Sequence, residues 1–369
     1  MQSATHLPVR PDWLERRREA IIEPDLPIVD PHHHLVDRPE TGRYLLTDLL
    51  ADQGSGHNIT ATVYLEWLSM YRAAGPIELR PVGEIEFANG VAAMAASGTY
   101  GPTRVCAGIV GHVDLALGAP VEKVLEAMVM VGGERFRGIR FITASHPDQA
   151  AWGSPIIRPA GLLMDHKVRE GFARLAPLGL GFDAWMYHTQ LGELVALARA
   201  FPATPIVLDH VGGAIGLGPY AGRRDEVFAQ WGGQIRELAS CPNVHVKLGG
   251  LGMRMFGFTH HLGELPPTPG LESGGRDVRE QLPGRQGQLR LSGAVERLQA
   301  HRRRLLRRRE GRAVLGRGEK ILQAGVKGLL TQRASCGANI SKAAFLARLT
   351  AFLSPVRASP SRSRASPPP

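Results

Sequence analysis

Residues 28–35 read I-V-D-P-H-H-H-L, a short apolar run that closes on Asp30, Pro31 and three consecutive histidines. The apolar residues from Leu26 to Val29 suit a buried strand. Pro31 has no N–H to give a ladder and is expected to end that strand, so the histidines sit where it emerges. Side chains alternate along an extended segment, which puts His32 and His34 on one side and His33 on the other. Two imidazoles spaced this way can meet on one ion or one substrate oxygen. A run of three histidines is by itself more often a solvated surface cluster; the strand before it and Asp30 beside it make this one a candidate site.

Outward from this stretch the chain alternates apolar runs with helix-length segments. Strands are predicted over 26–29, 61–65, 105–110, 138–142, 178–184, 205–208 and 244–248, and helices over 81–96, 120–131, 167–176, 190–200 and 225–240. Strands rich in Val, Ile and Leu that alternate with helices imply a parallel sheet covered by those helices. Seven such strands before residue 250 fit a (β/α)8 TIM barrel that still needs its eighth. Residues 1–27 read as an N-terminal arm with one short amphipathic helix, Trp13 to Ile22.

A barrel keeps its chemistry at the C-terminal ends of its strands, and polar residues gather there. They are His32 and His34 at the first strand, Glu66 after the second, Arg140 in the fourth, His188 after the fifth, Asp209 and His210 after the sixth, and Lys247 in the seventh. Taken singly, Arg140 or Lys247 would be a salt-bridge partner and His188, behind Trp185, Met186 and Tyr187, a core histidine. Packing alone does not predict their recurrence at one end of successive strands.

Composition narrows the class. The 369 residues carry a net charge of +10, but unevenly. Residues 1–265 hold 23 Lys+Arg against 28 Asp+Glu, a net −5, and residues 266–369 hold 21 against 6, a net +15. The basicity belongs to the tail, and the arginines of 302–304 and 307–309 have neither interleaved aromatics nor a binding motif around them, so no nucleic-acid partner is expected. Cys106, Cys241 and Cys336 are too few and scattered for a disulfide framework or thiolate metal site. No stretch is long and apolar enough for a membrane span and no signal-peptide core opens the chain, so a cytoplasmic enzyme with a small-molecule substrate is expected. Homo-oligomerisation stays open.

Taken in order, D-x-H-x-H (Asp30, His32, His34), F-R-G-I-R (136–140), D-A-W-M-Y-H (183–188), V-L-D-H-V-G-G (207–213) and V-K-L-G-G (246–250) resemble the amidohydrolase-related family. More narrowly, the chain resembles the branch of TIM-barrel hydrolases that includes sugar-lactone and dicarboxylate lactonases. The resemblance covers roughly Leu26 to Phe258. It implies a metal or substrate position lined by His32, His34 and His188, with His210 as a further ligand or proton-transfer group. Arg140 and Lys247 would bind or polarise an anionic or carbonyl oxygen, and Glu66 and Tyr187 would join them against the substrate. Neutral imidazoles suit a divalent zinc-like or manganese-like ion, which polarises a carbonyl and lowers the pKa of bound water. Some lactonases of this type work without metal. Asp209 is a candidate carboxylate ligand or base, or the group that orients a neighbouring ring.

Past Phe258 the pattern stops. The branch often reads F-E-S-N-F-P-V-D-K at strand eight; here that motif is missing and an Arg-rich segment ends in S-P-S-R-S-R-A-S-P-P-P. Synonymous codons for Val278 to His301 can be chosen so that dropping one base yields F-E-S-N-F-P-V-D-K-G-S-C-G-Y-R-V-L-W-N-A-F-K-R. Carried through Ile321, the same shift permits a C-terminal helix of the kind such a barrel carries. The first two bases of most codons are fixed, so a match of this length is not expected by chance, and the hypothesis it motivates is translation one base out of frame. The expected organisation is an arm (1–27), a barrel of seven strands (28–262), an aberrant segment (263–321) and a disordered basic tail (322–369), in a chain that the loss of strand eight could leave inactive. The leading functional expectation is hydrolysis of a lactone or related cyclic ester by water. A non-oxidative decarboxylase of the same superfamily and a basic nucleic-acid-binding protein are the alternatives.

Overall fold

The computed structural model describes residues 21, 23–38, 42–153, 156, 158–251 and 253–257. The expected N-terminal helix and everything expected of residues 263–369, strand eight and basic tail included, lie outside the described residues.

Seven parallel strands form one sheet in the order β1 (Ile28–His33), β4 (Ile59–Leu65), β5 (Arg104–Gly111), β6 (Phe136–Ile142), β7 (Gly181–Trp185), β8 (Ile206–Leu208) and β9 (Val244–Val246). The order follows the chain, as expected when each strand returns through a covering helix. Five helices cover the sheet connections from β4 on: α2 (Val82–Ala96), α3 (Val121–Gly132), α4 (His166–Phe172), α5 (Leu191–Ala200) and α6 (Arg224–Leu238). Their apolar stripes are buried, for example Val121, Val124, Leu125 and Met128 on α3, at the spacing of one helix face. At Gly138 in β6 a Cβ would stand 2.4 Å from the Gly181 carbonyl oxygen, so only glycine lets β6 and β7 approach this closely.

The sheet is curled. Seven strands about 4.8 Å apart would hold β1 and β9 roughly 29 Å from each other if flat. Yet the Lys247 ammonium, one residue past β9, lies 3.2 Å from Nδ1 of His32 in β1. The C-terminal ends of the two edge strands therefore face each other across the mouth of a half-barrel, and the class is mixed α/β.

Two features depart from the sequence reading. β1 does not stop at Pro31 but runs through it to His33. Among the described residues β1 pairs only with β4, that pairing is irregular between Asp30 and His33, and the His32 amide donates to Asp30 Oδ1 (3.1 Å), so the β1–β4 ladder draws no bond from Pro31. Between β1 and β4 lie an antiparallel pair, β2 (Val36–Arg38) and β3 (Gly42–Tyr44), and a helix, α1 (Leu46–Gln53), none of them expected. Strands of three residues are too short to show alternation. Helix α1 buries Leu46, Leu49 and Gln53, and the Leu45 amide donates to Asp48 Oδ2 (3.0 Å) at its first turn. Among the described residues no helix is long and apolar enough to cross a membrane. Cys106 and Cys241 are buried free thiols.

Candidate active site

The alternation expected of the triple histidine holds. His33 turns away from its neighbours, its Nε2 2.8 Å from Thr62 Oγ1. His32 and His34 converge, with their Nε2 atoms 3.3 Å apart. The His34 Nδ1 lies 2.9 Å from the Leu65 carbonyl oxygen, an acceptor only, so Nδ1 carries the proton and the Nε2 lone pair faces the His32 ring. On the far side of the His32 ring the Lys247 ammonium donates to Nδ1 at 3.2 Å.

Lys247 joins the ends of four strands. Besides His32 it donates to Asp183 Oδ2 of β7 (2.5 Å) and stands 3.1 Å from Asp209 Oδ1, just past β8. Arg140 of β6 donates through Nε to Glu66 Oε1 (2.8 Å) and through Nη2 to the Glu66 carbonyl, and its Nη1 is 3.9 Å from Asp209 Oδ2. Its guanidinium lies over the Trp67 ring. Asp209 and His210 sit on a turn in which His210 (φ 53°) and Val211 (φ 49°) adopt left-handed backbone, strained for residues with a Cβ and frequent where side chains must be aimed. The turn is held by Gly213, whose missing Cβ would lie 2.3 Å from the Met186 carbonyl oxygen, and by the Val211 amide, which donates to the Lys247 carbonyl at 3.1 Å.

Burial sets the protonation states. His32 is lowered to about 4 by burial and by Lys247, while His34 and His210 are held well below the ordinary histidine range, mainly by burial. All three are neutral near pH 7 and can act as lone-pair donors. Burial alone would raise Asp209, but Lys247, His32 and His210 outweigh it and hold the carboxyl well below its usual range. Burial raises Asp183 to about 6 against the pull of Lys247. Lys247 thus faces both Asp183 and Asp209, and Arg140 faces Glu66 and Asp209.

Among the described residues, one set of donor atoms converges as a cation would require: those of His32, Asp209 and His210 all lie within 4.8 Å of one another. The buried Asp209 oxygens make no well-aligned hydrogen bond and are matched by neighbouring charge alone. The cluster thus gathers His32, His34, Glu66, Arg140, Asp209, His210 and Lys247 of the residues expected from sequence. His188 and Tyr187 fall in a second group on the loops after β6, β7 and β8. The Ile215 amide donates to His188 Nδ1 (3.3 Å), the Tyr220 ring stands 5.1 Å from the imidazole, and the Tyr187 hydroxyl accepts from the Gly153 amide at 2.8 Å. His188 does not join the converging set. Sequence reasoning assigned no role to Asp183 or Trp67. Asp183 was detectable, because a carboxylate inside the apolar strand G-F-D-A-W must have a cationic partner.

The family model for Amidohydrolase matches residues 29–276, about two thirds of the chain. The chain belongs to the amidohydrolase family. This makes it a hydrolase. A relative, the uncharacterized protein y4mH of Sinorhizobium fredii, is 30% identical over 256 residues, spanning 64% of this chain and 76% of that one. An L-fucono-1,5-lactonase of Burkholderia ambifaria is 32% identical over 151 residues, 40% of this chain and 44% of the lactonase. Among solved structures, an amidohydrolase from Burkholderia multivorans with bound zinc superimposes with a TM-score of 0.50 at 22% identity, covering 79% of this chain and 94% of the other. At that identity the superposition bears on the fold of this amidohydrolase alone.

Proposed function

We propose that this amidohydrolase opens a lactone, a cyclic ester of a small hydroxy acid, by attack of water at the C-terminal mouth of a TIM barrel whose eighth strand would lie between β9 and β1. The observation that carries the reading is the convergence of His32, Asp209 and His210, with the Nε2 lone pair of His34 beside His32. The lactonase relative supports a sugar-acid lactone such as L-fucono-1,5-lactone, although the match spans less than half of that enzyme.

The donor set fits a divalent ion. Two nitrogens on a tetrahedral zinc, each about 2.0–2.1 Å from the metal, stand about 3.3 Å apart, the separation of the two Nε2 atoms. The unaligned Asp209 carboxylate favours a cation as well. His32, His34, His210 and Asp209 would hold zinc or manganese. When bound, the metal would polarise the ester carbonyl and acidify a water.

The chain's own residues supply the rest. Asp209, kept ionised chiefly by Lys247 and His32, accepts a proton from the attacking water and orients it. Lys247 has a side chain 13% exposed, whereas that of Arg140 is 2% exposed, so Lys247 reaches the mouth and stabilises the developing oxyanion. Arg140 acts from below, fixing Glu66 and Asp209 rather than touching the substrate. The test is hydrolysis of 1,5-lactones of sugar acids, followed by proton release, with the protein stripped of metal and reloaded with zinc or manganese. Metal-dependent ring opening is the expected result. Absence of ring opening in every reloaded form, or carbon dioxide release from an unsaturated acid without consumption of water, would overturn the reading.

A further inference from the structure

Glu84 lies in the first turn of α2, fully buried, and takes no part in the cluster around Asp209. Its Oε1 accepts three hydrogen bonds, from the Tyr64 hydroxyl (2.8 Å), the Trp67 amide (2.7 Å) and the Ser69 amide (3.1 Å). Its Oε2 is buried and has no hydrogen-bond partner among the described residues. All three donors belong to the end of β4 and the turn that follows. That turn passes through left-handed backbone at Leu68 (φ 53°) and Met70 (φ 55°), conformations that residues with a Cβ keep only when their surroundings enforce them. The same turn carries two groups of the site: Glu66, bound to Arg140, and Trp67, whose ring centre is 4.8 Å from that of His34 and 5.7 Å from the Arg140 guanidinium carbon.

We propose that Glu84 is a positioning residue, a buried carboxyl that clamps the turn after β4 so that Trp67 stays against His34 and Glu66 stays on Arg140. One oxygen closes three donors that no strand ladder or helix serves, and a strained turn needs such a fixed point. The clamp is titratable. Burial, and then the Glu66 carboxylate, push Glu84 up to about 8. The ionisable groups that face it are Glu66 and Tyr64 at the end of β4 and Tyr71 in the loop; Cys106 of β5 faces Tyr64. The ionised form grips its donors more strongly than the neutral acid does, since hydrogen bonds to a charged acceptor are the stronger ones. The turn is therefore held differently on the two sides of this titration.

The full-length protein, labelled with nitrogen-15 at tryptophan and serine, provides the test, with Trp67 and Ser69 identified by their loss in Trp67→Phe and Ser69→Ala. The backbone amides of both residues are expected to shift in one step centred near 8. Glu84→Gln keeps the acceptor but cannot titrate, so the step disappears while both amides stay protected. Glu84→Ala removes the acceptor, and the Trp67 amide exchanges about tenfold faster or more. A wild-type protein without the step, the same step in Glu84→Gln, or unchanged exchange in Glu84→Ala would each overturn the proposal. Its catalytic meaning rests on the hydrolase reading, in which the pH profile of kcat loses its limb near 8 in Glu84→Gln. The amide measurements do not depend on turnover, so failure of one reading is distinguishable from failure of the other.

Discussion

Asp209 stands between the site's two cations, 3.1 Å from Lys247 and 3.9 Å from Arg140. Asp209→Asn keeps the shape and removes the charge. Calorimetric titration is expected to show zinc affinity reduced at least about 100-fold, and denaturant unfolding a loss of about 2–3 kcal/mol. The loss stays moderate because Lys247 keeps Asp183 and Arg140 keeps Glu66. His188 gives a prediction with a definite sign. Burial lowers it from 6.5 to about 4. Unfolding at intermediate pH therefore takes up a proton that the folded ring refuses, so this contribution is complete above 6.5 and is lost as the pH falls through about 4. Thermal melts of His188→Gln should show a shallower decline over that window than the wild type; equal slopes would assign the acid sensitivity elsewhere. Alternation on one strand was enough to foresee that His32 and His34 converge. The partners of Asp183 and the separation of His188 from the converging set depend on which loops meet over the sheet, and no spacing along the chain encodes that.

At the scale of elements, the strands were readable because a parallel sheet buried on both faces leaves continuous Val, Ile and Leu runs, as in β5 and β8. The longer helices were readable from their amphipathic spacing. The β2–β3 pair and α1 were not, since three-residue strands and a two-turn helix give too few periods to count. The course of β1 through Pro31 was hidden for another reason: a missing N–H matters only where a neighbour needs it, and the irregular pairing of β1 with β4 at that point is a property of the sheet. The close approach of β6 to β7 yields a test at this scale. In Gly138→Ala the new methyl would lie 2.4 Å from the Gly181 oxygen, so the strands must part. The expected cost, read from the denaturant midpoint, is on the order of 1–3 kcal/mol. Because Arg140 is two residues further along β6, weaker zinc binding should accompany it.

For the whole molecule, the frame of residues 278–321 bears directly on the half-barrel. Among the described residues β1 pairs only with β4 and β9 only with β8, so each offers one unpaired edge to the other across the mouth. If the gene carries the synonymous codons that permit it, removing one base at the codon for Val278 would supply F-E-S-N-F-P-V-D-K as a candidate partner for those edges. Hydrogen exchange is expected to slow at the amides of β1 and β9 in that protein, with a higher Tm and lactone hydrolysis at least tenfold faster, on the order of what one misplaced wall of a site costs. Unaltered exchange at both edges would count against a frame error, and the intact mass of the protein from its native host would decide it independently. The Lys247 to His32 contact carries one more implication. The two residues stand 215 positions apart, so a ribosome delivers His32 long before the ammonium it will meet, and at about 5–20 residues per second the interval is tens of seconds at the slow end. Throughout that time the nascent sheet can grow strand by strand, yet the reactive mouth cannot exist. Chemistry in this protein is thus a late acquisition of its biogenesis, withheld until the last of the seven strands leaves the exit tunnel.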